Sequence, residues 1–569
     1  MSYGYSFILK TTNYLATRVL KLLIKYRSKN QSHPINTWAL NLLYAISQVL
    51  LVFMKGPRVT FKFIFTGKLI FICFLPVIIL IRKLIPQQTL LSLLFFLYGN
   101  QIFKTLRVKM ITDPKLMQSF KKKIVKFPID DSKIYKYATI ATQFEIDSKS
   151  SGLVENFILS VSTITPFSKQ RIININSSIS NMFHSQGYFQ DAETIERLCK
   201  EILDKEIGRK PGNYFESNYA TAIGHISLID MIIKGRKLNI LAPETFCIVI
   251  DENKVANNLY FDILKKQAIK CGISFMSGCD GDILEPDMEM LFNNQGEYVS
   301  ARKLYGAIEY EWQKEFGKPL ISLDKSDSIC LRAEKLLNDL GVDISKPIIG
   351  LHFRVNNDFL KGGRGSNFSS ILSSLFYLAN LDLSVIRIGT EKIPASNKFR
   401  SDNFYDLCDW NLSREEFELI CLYVWSKSLF FIGNLSGGTM PPNTFGTPTF
   451  WFDVFPLAHV RLPGLKDYFV PKMVYSYELE RNLTFNEMFI YQESQSENTF
   501  SLSESGYRLI DASELDILNG VKSMIDMYFY KRKTINRNSK IEEYENVYRE
   551  NGFPYGAKID SQFLSNYII

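Results

Sequence analysis

The stretch FFIGNLSGGTMPPNTFGTPTF, from Phe430 to Phe450, decides the fold of its half of the chain. An apolar run ends at Asn434, and a loop of small residues around Ser436 follows it. After two prolines and a turn at 446–448, a second apolar run begins. This order predicts a buried strand, a loop at its carboxyl end and a second strand. The loop displays hydroxyls and main-chain amides where open parallel sheets bind their ligands.

Apolar runs and helical patterns alternate on both sides of this stretch. After Lys346, the predicted strands PIIGLHFR, LSVIRIG and LFFIGN are separated by amphipathic helices. In the preceding part, helices such as AIGHISLIDMIIK alternate with the predicted strands KLNILAP (237–243) and ISFMSG (273–278). Helices in this part are expected to stop at Gly272, Gly317 and Gly341. The alternation predicts an α/β fold of two doubly wound, Rossmann-like domains that face a cleft.

The length of 569 residues fits several globular parts. We expect a division into a basic, apolar, membrane-associating helical segment (1–126), a helical connector (127–212), an N-terminal Rossmann-like domain for an acceptor (213–345), a C-terminal Rossmann-like domain for a donor (346–475) and a C-terminal helical extension (476–569).

The charge of the chain is unevenly distributed. The net charge is +9, yet residues 1–126 contain 20 Lys and Arg and one acidic residue, Asp113. The remaining residues therefore carry a net negative charge. A uniformly basic nucleic-acid-binding protein would not show this distribution, so we expect no nucleic acid among the partners.

The basic segment has the features of a membrane-associating element. Residues 12–27 place apolar side chains on one helical face with Lys and Arg at its borders, as interfacial helices do. Three uncharged stretches follow at 34–54, 69–81 and 84–103. Helical packing against the protein itself, monotopic association and true spans are the open alternatives. We expect peripheral or monotopic association with the cytoplasmic side of the inner membrane.

Cysteines and histidines give no sign of a disulfide framework or a metal site. The eight cysteines are scattered and none forms a C-x-x-C pair, which favours a reducing compartment. The five histidines show no ligand spacing. We therefore expect neither a metal nor a cofactor.

Polar residues follow the predicted strands of the second series at their carboxyl ends. Guanidinium groups bind phosphate oxygens bidentately, and glycines let main-chain amides approach an anion closely. A helix starting at or after Thr439 would add the positive end of its dipole. A tight turn without a ligand is the alternative interpretation of the loop. The predicted donor-phosphate site consists of His352, Arg354, Arg387, Asn434, Ser436, Gly437, Gly438 and Thr439.

Two further candidates lie outside this set. Arg364, in the glycine-rich run GGRGSN, is interpreted as part of a mobile flap over the cleft, or of an ordinary flexible loop. His225, near the start of a predicted helix, is the candidate catalytic base for an acceptor hydroxyl. The alternative is a histidine that satisfies a helix end or binds donor phosphate.

An ordered set of motifs carries a family resemblance. GLHFR (350–354), RGSN (364–367), VIRIG (385–389), FFIGNLSGG (430–438) and FGTP (445–448) resemble a family of bacterial glycosyltransferases of surface-polysaccharide biosynthesis. That family is similar to sugar-nucleotide transferases of the GT-B type. The resemblance covers about 210–530. It implies that His352 and Arg354 face a donor diphosphate, that loop 436–439 holds the phosphate or sugar, and that Arg387 lines the same cleft.

The resemblance implies transfer of a sugar from a nucleotide-diphosphate donor to a glycan or a lipid-linked acceptor, without a metal. The expected partners are this donor, this acceptor and, through residues 1–126, the cytoplasmic face of the membrane. A non-catalytic membrane scaffold with a degenerate nucleotide cleft is the alternative, as is an enzyme that modifies a nucleotide sugar. Binding of nucleotides would separate a transferase from a scaffold.

Overall fold

A computed structural model describes most of the chain from residue 174 onward. The described residues are 174–215, 218–243, 246–277, 290–354, 363, 365–392, 399–457, 462–496, 498–532, 539–551 and 556–566, with isolated positions at 142, 154, 155, 158, 159 and 172. They belong to one unit, Arg107–Ile569. The predicted membrane-associating segment 1–126 and the first part of the connector lie outside the described residues.

The strands of the described part are short and mostly buried. They are β1 Asn213–Phe215, β2 Phe246–Ile250, β3 Ser274–Ser277, β4 Met290–Phe292, β5 Tyr298–Ser300, β6 Ile348–His352, β7 Ser384–Ile388, β8 Phe404–Asp406, β9 Phe430–Asn434, β10 Thr449–Val454, β11 Tyr468–Pro471, β12 Met473–Ser476, β13 Arg481–Asn482, β14 Tyr507–Ile510 and β15 Lys558–Ile559.

Helices separate most of these strands. The α-helices of the described part are α1 Asn181–Ser185, α2 Phe189–Glu206, α3 Asn218–Thr221, α4 Ile223–Lys237, α5 Asn258–Lys270, α6 Ala301–Phe316, α7 Ser328–Asp339, α8 Leu372–Ala379, α9 Arg414–Lys427, α10 Phe485–Ile490, α11 Thr499–Glu504, α12 Glu514–Met524, α13 Ser539–Glu550 and α14 Ser561–Asn566.

A seven-stranded sheet organises the second half of the chain. Its order is β15-β11-β10-β9-β6-β7-β8, and every neighbouring pair in it is parallel. The chain runs outward from β6 through β7 to β8, and then crosses to the other side of β6 to form β9, β10 and β11. The strand order therefore reverses between β6 and β9.

Helices cover both faces of this sheet. Successive residues of its strands point to opposite sides, so neighbouring residues of one strand enter two different cores. Ile386 and Phe431 belong to one hydrophobic core, which also contains residues of α4, α5, α6, α7 and α9. Val385 and Ile432 belong to a second core, together with residues of α8, α12 and α14. The continuous apolar runs of β7 and β9 reflect this two-sided burial.

A smaller parallel sheet has the order β1-β2-β3. Its core is continuous with one face of the larger sheet, since Ile248 of β2 and Phe431 of β9 belong to the same cluster. Helix α4 lies in this shared core and is buried along most of its length, from Ile226 to Gly235. The α/β class with parallel sheets is thus confirmed, while the predicted domain boundaries remain a prediction.

Glycines end the helices that the sequence predicts to end there. Gly272, Gly317 and Gly341 follow α5, α6 and α7 and have φ values of 78°, 64° and 84°. These left-handed conformations favour glycine and satisfy the last helical carbonyls.

Two details of the sequence prediction are wrong. The predicted strand 237–243 contains the end of α4 and a turn at Asn239, and the strand of this region is β2 instead. The extension 476–569 is not wholly helical. β13 and β14 flank β12 in an antiparallel sheet, and β15 joins the edge of the seven-stranded sheet.

Among the described residues, no helix combines the length and the apolar character that crossing a bilayer requires.

Candidate functional site

The candidate site lies where the strand order of the seven-stranded sheet reverses. In such sheets the loops after the two central strands diverge and leave a crevice at the carboxyl edge. Here those strands are β6, which ends at His352, and β9, which ends at Asn434. His352 pairs in register with Gly433 of β9 on one side and Ile388 of β7 on the other.

The imidazole of His352 lies beside two glycines that follow the neighbouring strands. A Cβ placed on Gly438 would be 2.4 Å from Cδ2 and 2.5 Å from Nε2 of the ring, so only glycine fits there. A Cβ on Gly389 would be 3.8 Å from the ring Cδ2, an ordinary contact distance. The absence of a Cβ at Gly438 therefore leaves the space that the His352 ring occupies.

His352 is neutral at physiological pH. Burial, together with the positive charges of Arg387 and Arg354, lowers its pKa to about 4. Its Nδ1 is buried and makes no hydrogen bond within the described residues. The side chain of Arg354 is exposed, and its charge acts on the ring that contacts Gly438. The carboxyl end of β6 thus combines a positive potential with a ring nitrogen, Nδ1 of His352, that has no hydrogen bond within the described residues.

Asn434 connects the end of β9 to the segment after β6. Its Oδ1 accepts the N–H of Arg354 at 3.1 Å, and its Nδ2 donates to the Arg354 carbonyl at 2.9 Å. Its side chain is fully buried. Asn434 therefore acts on the main chain of Arg354, and the direct donor contact predicted for it does not fit this arrangement.

Thr439 is also buried, and its Oγ1 donates to the carbonyl of Asn434 at 3.0 Å. The indole N–H of Trp425 donates to the carbonyl of Gly438 at 3.2 Å. These two bonds hold the loop 436–439 in shape from below, while Ser436, Gly437 and Gly438 retain solvent-accessible surface. A role for Thr439 in supporting the loop fits its burial better than the predicted donor contact.

No long helix starts after this loop. Residues Gly437–Thr439 and Pro441–Phe445 form two short 3₁₀ helices, with the prolines at the first positions of the second one. The early placement of the prolines is as expected, because they lack an N–H that would need a partner. The condition for a helix dipole at or after Thr439 is not met, because the segment before Gly446 forms only a five-residue 3₁₀ helix.

Helix α4 meets the loop instead. A Cβ on Gly224 would lie 2.8 Å from Cα of Gly437, so the two glycines bring main chain against main chain. The N-cap residue of α4, Ala222, has no side chain that caps the first amides. His225, the next residue after Gly224, is half-buried, and its ring lies 6.1 Å from that of Tyr219 between centroids. The structure thus brings the residue before the candidate base into contact with the loop after β9.

Arg387 is a correction to the predicted site. Its side chain is fully buried, and its Nη1 donates to both carboxylate oxygens of Asp406 at 2.8 and 2.9 Å. Its Nη2 donates to the carbonyl of Glu391 at 2.6 Å. The guanidinium therefore ties β7 to β8 and contributes positive potential to His352; both Nη atoms are engaged, whereas the buried Nε makes no hydrogen bond within the described residues.

Arg364, the predicted flap residue, lies outside the described residues. Within the part of the chain that is described, no group of three or more His, Cys, Asp or Glu side chains is arranged to hold a metal ion.

Two contributors to the site were missed by the sequence prediction. Gly224 contacts Gly437 across 213 positions of sequence, and the only local signal is a glycine in the first turn of a helix, a position that favours other residues. Ser366 lies against Asn434, with Nδ2 of Asn434 donating to its Oγ at 3.3 Å. The motif RGSN (364–367) contains Ser366, but the sequence prediction gave this serine no role of its own.

Comparisons with known proteins give faint likenesses. No family model matches the chain, and no curated protein matches it. A solved structure described as a glycosyl transferase of family 9 from Veillonella parvula DSM 2008 is similar at 10% identity and a TM-score of 0.31. The match covers 55% of this chain and 97% of that one.

Two heptosyltransferase structures are similar to the same degree. The E. coli ADP-heptose lps heptosyltransferase II matches at 10% identity over 56% of this chain and 99% of that chain, with a TM-score of 0.30. The heptosyltransferase TibC, solved with ADP-D-beta-D-heptose, matches at 13% identity over 56% of this chain and 76% of that chain, with a TM-score of 0.29. Likenesses of this size assign no family.

Proposed function

We propose that the protein is a glycosyltransferase that binds the diphosphate of a nucleotide-sugar donor at the carboxyl ends of β6 and β9. One observation carries this proposal. At the reversal point of the sheet, the structure groups His352, the exposed cation Arg354 and the small-residue loop 436–438. These are the groups that bind phosphate oxygens, at the position where open α/β sheets bind nucleotides.

The same groups suit the chemistry of the transfer. When the bond between the sugar and the diphosphate breaks, negative charge grows on the departing diphosphate. The guanidinium of Arg354 and the main-chain amides of the loop would stabilise this charge, because positive groups close to the departing diphosphate lower its free energy. We therefore propose that Arg354 and the loop around Gly437 perform the role that a divalent metal performs in other transferases.

His225 is the proposed base for the acceptor. It follows Gly224, which contacts Gly437, so an acceptor hydroxyl beside His225 would lie close to the proposed donor. An imidazole in this place would take the hydroxyl proton as the oxygen attacks the sugar. The proposed acceptor is a glycan or a lipid-linked glycan of surface-polysaccharide biosynthesis. Residues 1–126 would hold the enzyme on the cytoplasmic face of the membrane beside it.

Calorimetry with UDP, GDP, CDP and ADP tests the proposal on the full-length protein. We expect one of these nucleotides to bind the wild type, and Arg354→Ala to weaken this binding by about 10-fold to 100-fold, since a charge-assisted contact to phosphate is lost. Arg332→Ala is the matched control, because Arg332 forms an exposed ion pair with Glu415 on α7 and α9. Its affinity should equal that of the wild type.

If the wild type binds none of the four nucleotides, the transferase proposal fails, and the alternative of a membrane scaffold with a degenerate cleft is favoured. Equal nucleotide affinity of the wild type and Arg354→Ala would contradict the proposed donor site and would show that the nucleotide binds elsewhere on the protein.

A further inference from the structure

Asp453 has an unusual backbone at the carboxyl end of β10. Its φ is 53°, in the left-handed region that residues with a Cβ seldom adopt. It directly follows Phe452, which pairs in register with Asn434 of β9. Such conformations persist where the surroundings enforce them, and they concentrate near functional sites. Asp453 thus lies one strand away from the proposed donor site.

The carboxyl group of Asp453 is fully buried. Its Oδ1 accepts the N–H of Ala512 at 2.8 Å, whereas its Oδ2 makes no well-formed hydrogen bond within the described residues. Charged and polar groups face it from three segments: Lys472 between β11 and β12, Asp511 after β14, and the hydroxyl of Ser366. Lys472 is itself held by Asp511 and by the carbonyl of Gly365.

A chain of polar contacts leads from Asp453 to Arg354. The Ser366 hydroxyl lies beside the Asp453 carboxyl, and Oγ of Ser366 accepts from Nδ2 of Asn434 at 3.3 Å. Asn434 in turn accepts from the N–H of Arg354 and donates to its carbonyl. Each link is buried or half-buried. The carboxyl is therefore connected to the main chain that carries the proposed phosphate-binding guanidinium.

The function of these contacts depends on which atoms donate and which accept. The negative charge of an ionised Asp453 orients the hydroxyl hydrogen of the nearby Ser366 towards the carboxylate, which leaves Oγ of Ser366 as the acceptor for Nδ2 of Asn434. The orientation of the Asn434 side-chain amide is thereby fixed: its Nδ2 faces Ser366 and its Oδ1 faces the N–H of Arg354. A neutral group at position 453 able to donate would compete with Asn434 for the same serine oxygen.

We propose that Asp453 is a positioning residue: its carboxylate orients Ser366 and Asn434, and through them holds the main chain of Arg354 for donor binding. This inference rests on the proposed function, because the donor is the ligand that Arg354 would bind. Burial raises the pKa of Asp453 to about 6, so the carboxylate form prevails near neutral pH.

Hydrogen exchange of the Arg354 amide tests the positioning without any ligand. In Asp453→Asn and Ser366→Ala, we expect this amide to exchange about 10-fold faster than in the wild type, because the Asn434 acceptor is no longer fixed. Asp467→Asn is the matched control: Asp467 is an equally buried carboxyl of the same sheet, before β11, and it contacts Thr449 and Trp451 instead. Its variant should leave the Arg354 amide unchanged.

Nucleotide affinity supplies the second readout. Asp453→Asn should weaken binding of the nucleotide found with the wild type by about 10-fold, and should add nothing in an Arg354→Ala background. A merely structural role would instead lower affinity equally in both backgrounds. Melting temperatures of all variants report whether each one folds.

Unchanged exchange of the Arg354 amide in both Asp453→Asn and Ser366→Ala overturns the inference, whatever the nucleotides do. Additive losses of affinity with Arg354→Ala also overturn it. If exchange rises but the wild type binds no nucleotide, the proposed function fails, and with it the donor role of this positioning. Faster exchange with non-additive loss of affinity supports it.

Discussion

His352 shows at the scale of one residue how glycines create a site. The ring lies at the end of the central strand, and Gly438 contacts its face. A side chain at position 438 would displace the ring, since the nearest ring atom lies 2.4 Å from the place of a Cβ. The small residues of the loop thus make room for a neighbouring side chain.

Gly438→Ala is therefore expected to destabilise the protein by roughly 1–3 kcal/mol, as overpacking of a filled site does. In a His352→Ala background the same change should cost far less, because the clashing ring is absent. Urea denaturation of the four proteins of this double-mutant cycle measures the coupling. Equal costs in the two backgrounds would show that the ring and the loop do not press on one another.

Arg387 was predicted to bind donor and is instead paired with Asp406. The sequence places an arginine near a strand end in either case. The presence of a carboxylate on the next strand decides whether its guanidinium remains available. Because β7 and β8 pair in register at these two residues, the ion pair forms and engages Nη1 of Arg387.

At the scale of elements, local signals at helix ends agree with the structure. Ser513 caps α12 in a capping box with Asp516: Oγ accepts the Asp516 N–H at 3.1 Å, and the Asp516 carboxylate accepts the Ser513 N–H at 3.3 Å. A serine directly before a helical pattern is a local signal of a helix start, because its hydroxyl accepts from amides that have no partner within the helix.

Ser513→Ala should lower the free energy of unfolding by about 1 kcal/mol, the usual cost of losing a cap. Ser503→Ala is the control, because Ser503 is exposed within the short helix α11. The two variants are compared by urea denaturation. A cap variant as stable as the control would mean that water satisfies the first amides of α12 equally well.

Other features of the same helix carry no local signal. Gly520 lies in the middle of α12, where glycine disfavours a helix. A Cβ there would lie 2.1 Å from the ring of Phe450, so the glycine is required by the packing of α12 on β10. Sequence patterns indicate the helix, whereas this neighbour determines one of its residues.

At the scale of the whole molecule, buried carboxyls make stability depend on pH. Burial raises the pKa of Asp467 to about 7, against the lowering by hydrogen bonds from Trp451 and the Thr449 N–H. A folded-state pKa above the unfolded one means that folding favours the protonated form. The contribution of protonated Asp467 to the free energy of unfolding is fully present below about pH 4 and is lost as the pH rises through about 7.

The free energy of unfolding should therefore fall between pH 5 and pH 8, with Asp467 contributing on the order of 1 kcal/mol per pH unit over the part of that range below its folded pKa. Asp467→Asn should be less stable than the wild type at pH 5, because an acceptor is lost, and the difference should narrow towards pH 8. Urea denaturation at several pH values measures both slopes. If the free energy of unfolding changed equally with pH in the wild type and in Asp467→Asn, groups other than Asp467 would be responsible for the pH dependence.

The sequence by itself determined the α/β class, most strands of the large sheet, the helix ends at Gly272, Gly317 and Gly341, and the cap at Ser513. These features depend on side-chain periodicity and on contacts within a few residues, so they can be read locally. The sequence also indicated that polar residues follow the strands β6 and β9.

Only the tertiary structure decided which of those residues remain available to a ligand. Asn434 and Arg354 are 80 positions apart, and Gly224 and Gly437 are farther apart still. Whether such residues meet depends on the order of strands in the sheet and on how helices pack against it. These are properties of the whole core, because a contact between distant segments forms only when the surrounding layers place both of them together.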